Sequence, residues 1–278
     1  MNSTFDLSGR RALVTAASRG IGRGIARTLS RSGAAVVVNY LASVDAARSL
    51  VTELEGLGVR AAAVRGDVGD ADEAARVVHA AAYALGGALD LVVNNHGPFA
   101  LTPLASGLSP QEFDALIRGN LSSAYYVTHA ALPAMLEAGR GVIVNIGLSS
   151  TTESLDGAPH VAPYAVAKAG LVTLTKSLAA ELAPKGVRVA MVAPGLIDNG
   201  HLPEVQKRWM EERVPAGRLG TPEEVGAAVA FLASEHAAYA SGAVLSVAGG
   251  WHWGQDRSTA HDTAGVVRGL REEAGPPA

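Results

Sequence analysis

Residues 11–39 read RALVTAASRGIGRGIARTLSRSGAAVVVN. A short β-branched run, RALVT (11–15), leads through a glycine-containing turn into an Ala-rich segment of helix length, and a second run, AAVVVN (34–39), follows. Strand, turn, helix and strand in this order make a parallel unit, because parallel strands must be joined by a crossover. The runs are apolar throughout rather than alternating, as expected of strands covered on both faces.

The pattern repeats. Further runs are RAAAVRG (60–66), LDLVVNN (89–95), GVIVNIG (141–147), VRVAMVA (187–193) and AVLSVA (243–248), with helix-length segments between them. Some helices carry start signals: Ser109-Pro110 and Thr221-Pro222 are each followed by acids. Seven such strands predict an α/β fold, a single-domain Rossmann-type doubly wound parallel sheet with helices on both faces. No linker divides it. The expected organisation is one catalytic domain over residues 1–250 and a C-terminal extension over 251–278, partly ordered and then mobile towards Gly275-Pro276-Pro277.

Composition narrows the function. Hydrophobic residues make up 48% and charged residues 18%, which excludes a disordered chain. Lys and Arg number 23 against 26 Asp and Glu, so no basic face is implied and nucleic acid is not an expected partner. The 278 residues include no cysteine, which removes disulfides, thiolate metal sites and Cys nucleophiles. The N-terminus lacks the apolar stretch of a signal peptide, and no apolar run approaches the roughly 18 residues of a membrane span. A soluble, cytoplasmic protein without membrane or metal is the expectation. His201, His252 and His261 show no metal-ligand spacing.

The turn after the first strand points backbone N–H groups and a helix dipole at one place, a ready site for a pyrophosphate. Gly20 and Gly22 would let the phosphate and the neighbouring strand come close. Downstream, Tyr164 and Lys168 stand four apart, on one helix face. A free phenol titrates near 10 and is a poor acid–base group. A cation beside it would lower that value, so that it could protonate a carbonyl oxygen as hydride reaches carbon.

With these elements the sequence resembles the short-chain dehydrogenase/reductase family over about residues 5–250, and in particular its 3-ketoacyl-carrier-protein reductase-like members. The family's T-G-x-x-x-G-x-G reads Thr15 to Gly22 here, its N-N-A-G reads Asn94-Asn95-His96-Gly97, and its Y-x-x-x-K is Tyr164 to Lys168. Its helical Asn is Asn120, and its P-G after the sixth strand is Pro194-Gly195. The resemblance implies hydride transfer between a nicotinamide cofactor and a small-molecule carbonyl or alcohol, with Asn120, a serine, Tyr164 and Lys168 as catalytic residues. It implies cofactor contacts at Ser18, Arg19, Gly20, Ile21, Gly22, Asn39, Ser43, Asp67, Val68, Asn94, Gly97, Tyr164, Lys168, Pro194, Gly195 and Ile197, and a homo-oligomer, tetramer or dimer. The nearer rivals, an alcohol dehydrogenase or imine reductase, use the same residues. The rival from another class is a non-catalytic NADP(H)-sensing or scaffold protein.

The serine is open to two rulers. Thirteen residues upstream of Tyr164 stands Thr151, with Ser150 one further, whereas the second residue after the strand end VNI is Leu148, which cannot donate a hydrogen bond. The chemistry needs one hydroxyl donating to the carbonyl oxygen. Ser150 is the first choice, Ser149 the second and Thr151 the third.

Cofactor choice turns on the end of the second strand. A carboxylate about 20 residues after the glycine turn would bind a free ribose 2′-OH and repel a 2′-phosphate. That position is Asn39, and the next acid is Asp45. Arg19 at the turn could clamp a 2′-phosphate, with Ser43 adding a donor. NADPH/NADP+ is the expected cofactor.

Four departures from the family pattern stand out. Ala16 replaces a glycine, so either the turn does not need φ > 0 or the loop shifts slightly. His96 replaces a small residue and is expected to be a locally hydrogen-bonded filler. Asn199 stands where a Thr is common, and Ala248 where an Asp is common near the subunit contact. Two of the three tryptophans, Trp251 and Trp253, open the extension, and Trp209 lies in the segment that the family uses as a lid. Residues 251–260 are expected to pack near that lid.

Overall fold

The computed structural model describes residues 5–99, 107–149, 161–200 and 202–251. Seven strands, β1 (Arg11–Val14), β2 (Ala35–Tyr40), β3 (Ala61–Arg65), β4 (Leu91–Asn94), β5 (Gly141–Ile146), β6 (Val187–Pro194) and β7 (Val244–Val247), form one sheet in the order β3-β2-β1-β4-β5-β6-β7. Every pairing is parallel. The strands therefore lie where the apolar runs predict them.

The period of the pleat sorts their side chains into two cores. Val36, Val38, Val142 and Val144 point to one face and meet Ile25, Leu29, Leu50 and Val229. Those partners come from α1 (Gly20–Arg31), α2 (Val44–Glu55) and the last helix, α8 (Pro222–Ala233). Leu13, Val37 and Ile143 point to the other face, against Val77, Val127, Met135 and Leu182. Those come from α3 (Ala71–Leu85), α5 (Ser123–Glu137) and α6 (Ala162–Leu182). Each fully buried Val or Leu contributes about 1.5–3 kcal/mol, so both faces are needed to hold the sheet.

Helix starts follow the sequence signals. α4 (Pro110–Ile117) and α8 begin with complete capping boxes, Ser109 with Glu112 and Thr221 with Glu224, and α3 is capped by Asp70. A short helix, α7 (Glu204–Glu211), lies between β6 and α8. An ion-pair chain runs from Arg23 and Arg27 of α1 to Glu53 of α2 and on to Glu223 of α8, fixing α1 in place.

The chain order along the sheet reverses between β1 and β4. Their carboxyl ends diverge into a crevice, the place where open α/β sheets take ligands. Among the described residues no helix is long and apolar enough to cross a membrane.

Candidate active site

Two polar side chains shape the crevice. Thr15, at the end of β1, is buried, and its hydroxyl accepts hydrogen bonds from the backbone N–H groups of Asn95 and His96, both at 2.9 Å. Asn95 answers by donating its amide to the carbonyl oxygens of Thr15 at 2.9 Å and Ala16 at 3.3 Å. The turn after β1 then passes under α1. Gly22 is required there: a Cβ would come within 2.6 Å of Asn95 Nδ2 and 2.8 Å of the Ala16 carbonyl oxygen.

Ala16 itself has φ +50°, so the turn does need the left-handed conformation and accepts the strain of a Cβ rather than avoiding it. Its N–H donates to Asn39 Oδ1 at 3.1 Å. That bond redefines Asn39. The side chain is buried, and its amide donates to the carbonyl oxygens of Val64 at 3.3 Å and Gly66 at 3.1 Å. Asn39 thus ties the ends of β2 and β3 to the turn, and its carboxamide is spent within the protein rather than presented to a ligand.

Unlike α3, α4 and α8, α1 has no side-chain cap and no acid in its first turn. Its N-cap residue is Arg19, exposed, with no ion pair or side-chain hydrogen bond to any described residue. The helix dipole disfavours a cation at this end. The uncapped amides and the cation together suit an anionic group.

A cavity of about 650 Å3 opens over this helix end. Of the expected cofactor residues, Arg19, Gly20, Ile21, Gly22, Gly97, Tyr164, Lys168, Pro194, Gly195 and Ile197 line it. Ser18, Asn39, Ser43, Asp67, Val68 and Asn94 do not line it. Asn94 is buried and donates to Asn145 Oδ1 at 2.9 Å and Thr128 Oγ1 at 3.1 Å. Its neighbour Asn95 is the one at the wall. Alternation along β4 decides this, since consecutive side chains point to opposite faces. Ser43 precedes α2 without capping it, and Asp67 accepts the Gly69 N–H at 2.9 Å. Asn199 lines the cavity beside Gly20.

At the floor, α6 brings Tyr164 and Lys168 onto one face, with Lys168 Nζ 5.6 Å from the centroid of the Tyr164 ring. Lys168 is buried and donates to the carbonyl oxygen of Ile146 at 2.8 Å. Gly97 packs between the two catalytic candidates of neighbouring helices. A Cβ there would collide with Asn120 Oδ1 and come within 3.1 Å of Lys168 Nζ. Asn120 sits in a π-helical turn (Arg118–Ser122) between α4 and α5, a local irregularity of the kind that often marks a site. Its amide donates to the carbonyl oxygens of Pro98 at 2.8 Å and Leu116 at 3.0 Å. Its carboxamide oxygen, buried, has no partner among the described residues and faces Lys168 across Gly97.

Burial sets the protonation states. It pushes the Tyr164 phenol up to about 12 and the Lys168 ammonium down to about 8. In the protein's own surroundings burial, and not Lys168, sets the direction of the phenol's shift. His96 is also pushed down by burial, with Asp67 raising it and Lys168 lowering it further. Its backbone N–H is bonded to Thr15, but its ring makes no hydrogen bond to a described residue, contrary to the expected local bond.

Ser149 is fully buried and does not line the cavity, whereas Leu148 does. Ser150 and Thr151 lie outside the described residues, as do His201 and the extension after Trp251. Trp251 packs with Val214 and Leu219, next to Leu202 and Met210 of the lid region. Trp209 turns away from the cavity and stacks on Arg213, 3.7 Å from ring centroid to guanidinium. The residues that sequence reasoning missed at this wall include Phe99, Leu148, Leu196, Leu202, Gln206 and Met210. Ala248 packs on Gly195 behind it. No group of acidic and histidine residues among those described could hold a metal.

A switch-point crevice, an uncapped glycine turn and a half-buried Tyr beside a buried Lys that faces an Asn form one constellation. A family model described as enoyl-(acyl carrier protein) reductase matches residues 15–252. The chain belongs to the short-chain dehydrogenase/reductase family. Within it, 3-oxoacyl-acyl-carrier-protein reductase FabG of Staphylococcus aureus is 39% identical over 244 residues, covering 87% of this chain and 97% of that one. L-rhamnose 1-dehydrogenase (NAD(P)(+)) of a Sphingomonas species is also 39% identical, over 254 residues, 88% of this chain and 97% of its own. A solved structure of a candidate NAD(P)-dependent gluconate 5-dehydrogenase from Beutenbergia cavernae, with bound NADP at low occupancy, superposes with a TM-score of 0.80 at 35% identity, covering 89% and 98% of the two chains. This chain is thus an oxidoreductase of a family that uses NAD(P)(H), on a Rossmann-type sheet.

Proposed function

We propose that the protein is an NADPH-dependent reductase that moves hydride to a carbonyl carbon. The observation that carries the reading is the pairing of Tyr164 with Lys168 at the floor of the cavity, where Asn120 meets Lys168 across Gly97. The residues fit a dinucleotide. The α1 amides and Arg19 would hold its phosphates, Gly22 admits close approach, and Pro194, Gly195 and Ile197 would bound its nicotinamide end. Asn39, Ser43, Asp67 and Val68, at the ends of β2 and β3, stand on the side proposed for the adenosine. Bound there, the nicotinamide supplies the hydride and, when oxidised, a positive charge beside the phenol.

The chain's residues do the proton work. Tyr164, protonated at neutral pH, hands its proton to the carbonyl oxygen. Ser150 donates a second hydrogen bond to that oxygen. Lys168, fixed by the Ile146 carbonyl, holds a positive charge near the ring, and the open acceptor of Asn120 takes part in returning a proton from solvent. NADPH is favoured over NADH because Arg19 is uncommitted at the cavity mouth. Oxidation of an alcohol is the second reading, since two of the relatives above are named dehydrogenases.

We also propose a cytoplasmic homo-oligomer, tetramer or dimer. An apolar groove walled by Leu121, Tyr125, Tyr126 and Leu174, between α5 and α6, supports it.

The test is steady-state turnover of both reduced cofactors by wild type and Arg19→Ala. Wild type should show higher kcat/KM with NADPH, and the variant should raise KM for NADPH much more than for NADH. Equal kcat/KM for the two cofactors in wild type would refute NADPH preference.

A further inference from the structure

The cavity has two chemically different halves. Under α1 it is lined by backbone and by polar groups, whereas beyond Tyr164 its described wall is apolar. Phe99, 55% exposed, stands edge-on to the Tyr164 ring, with centroids 5.2 Å apart at 90°. Leu148 borders the same space from the end of β5, and Leu202, Met210 and Trp251 close it from the lid side. Trp251 is not a loose aromatic. It is 9% exposed, its backbone N–H donates to the Ala248 carbonyl oxygen at 2.9 Å, and its ring packs in a cluster with Val214 and Leu219.

Among the described residues polar capacity on this side is small, the His96 ring apart. The Asn95 amide is spent on Thr15 and Ala16, and the Asn120 amide on Pro98 and Leu116. Among the described lid residues at the cavity, Gln206 is the polar one, one helical turn before Met210. A polyhydroxylated carbonyl compound carries several hydroxyls that must each find a partner once water is displaced, and a wall of this kind leaves most of them unpaired. An alkyl or aryl body gains instead from leaving water.

We propose that this site takes ketones with an apolar alkyl or aryl body and rejects sugar-type polyhydroxy ketones, with Trp251 and Met210 as the specificity-determining residues. The proposal deepens the reductase reading and rests on it for which end of the ligand faces Tyr164. It separates this chain from relatives whose names carry sugars.

Binding can be measured apart from turnover. Acetophenone and D-fructose are titrated calorimetrically into full-length protein saturated with NADP+, which cannot reduce either. Acetophenone should bind and fructose should not. Trp251→Ala and, on the lid surface, Met210→Ala should each raise the acetophenone Kd by roughly 10-fold or more, with the NADP+ Kd unchanged. Fructose binding as tightly as acetophenone, or an unchanged acetophenone Kd in both variants, would overturn the proposal. The same ketones are then offered with NADPH. Acetophenone binding without reduction would sink the reductase reading while leaving the assigned ligand class standing.

Discussion

The side-chain oxygen of Asn39 accepts the backbone N–H of Ala16 at 3.1 Å, joining the end of β2 to the strained turn that leaves β1. This bond holds the floor of the cofactor crevice, and it makes Asn39 a structural residue before it can be anything else. Asn39→Asp keeps the acceptor but loses both amide donors, leaving the buried carbonyl oxygens of Val64 and Gly66 facing a carboxylate. The variant should lose about 2–3 kcal/mol in denaturant unfolding and should not move cofactor preference towards NADH. A stable Asn39→Asp protein that prefers NADH would show that the side chain reaches the ribose.

Ala16 holds φ +50°, where a Cβ costs about 1–2 kcal/mol. Ala16→Gly removes that strain, less the greater chain entropy of glycine, which is about 0.5–1 kcal/mol. The net stabilisation of about 1 kcal/mol corresponds to roughly 2–4 °C in a domain of this size, read by calorimetry. The turn already has the shape that glycine prefers, so cofactor affinity should change only a few-fold. A lower Tm would mean that the turn relaxes when the Cβ is removed.

Burial lowers Lys168 from 10.5 to about 8, so the protein bears the cost of a buried charge. Below about 8 both folded and unfolded chains are protonated, and the cost, about 3 kcal/mol, is present in full. Between 8 and 10.5 the unfolded chain holds the proton and the folded one does not, so wild-type stability rises with pH. Lys168→Met should abolish turnover yet stabilise the fold at neutral pH by about 1–2 kcal/mol, after allowance for the unpaired Ile146 carbonyl. The gain should vanish above the ordinary lysine value. Thermal unfolding at both pH values decides it, and an equal effect at both would contradict the assigned charge state.

Much of the site was legible because its signals are local. The Tyr164–Lys168 spacing, the glycine turn and the Ser109 and Thr221 caps each lie within a few residues, and local geometry fixes them. The directions of Asn39 and Asn94 were not legible. Alternation puts each on one face or the other, but strands that are apolar throughout leave its phase unmarked; in the fold Val64 stands beside Asn39 and Asn145 beside Asn94. The left-handed turn at Ala16 was concealed by a residue that rarely adopts it. The apolar wall required the fold as well, since Phe99, Met210 and Trp251 lie far apart in the chain and meet only around the cavity.

The account stands on Tyr164 as the proton donor of carbonyl reduction, and Tyr164→Phe tests it most directly. The substitution removes one hydroxyl and keeps the ring that packs against Phe99. NADPH binding, followed by cofactor fluorescence, should stay within a few-fold of wild type. The rate of NADPH consumption with acetophenone, or with the best ketone found for the wild type, should fall by about 10²–10⁴-fold. Wild-type turnover in Tyr164→Phe would contradict the account.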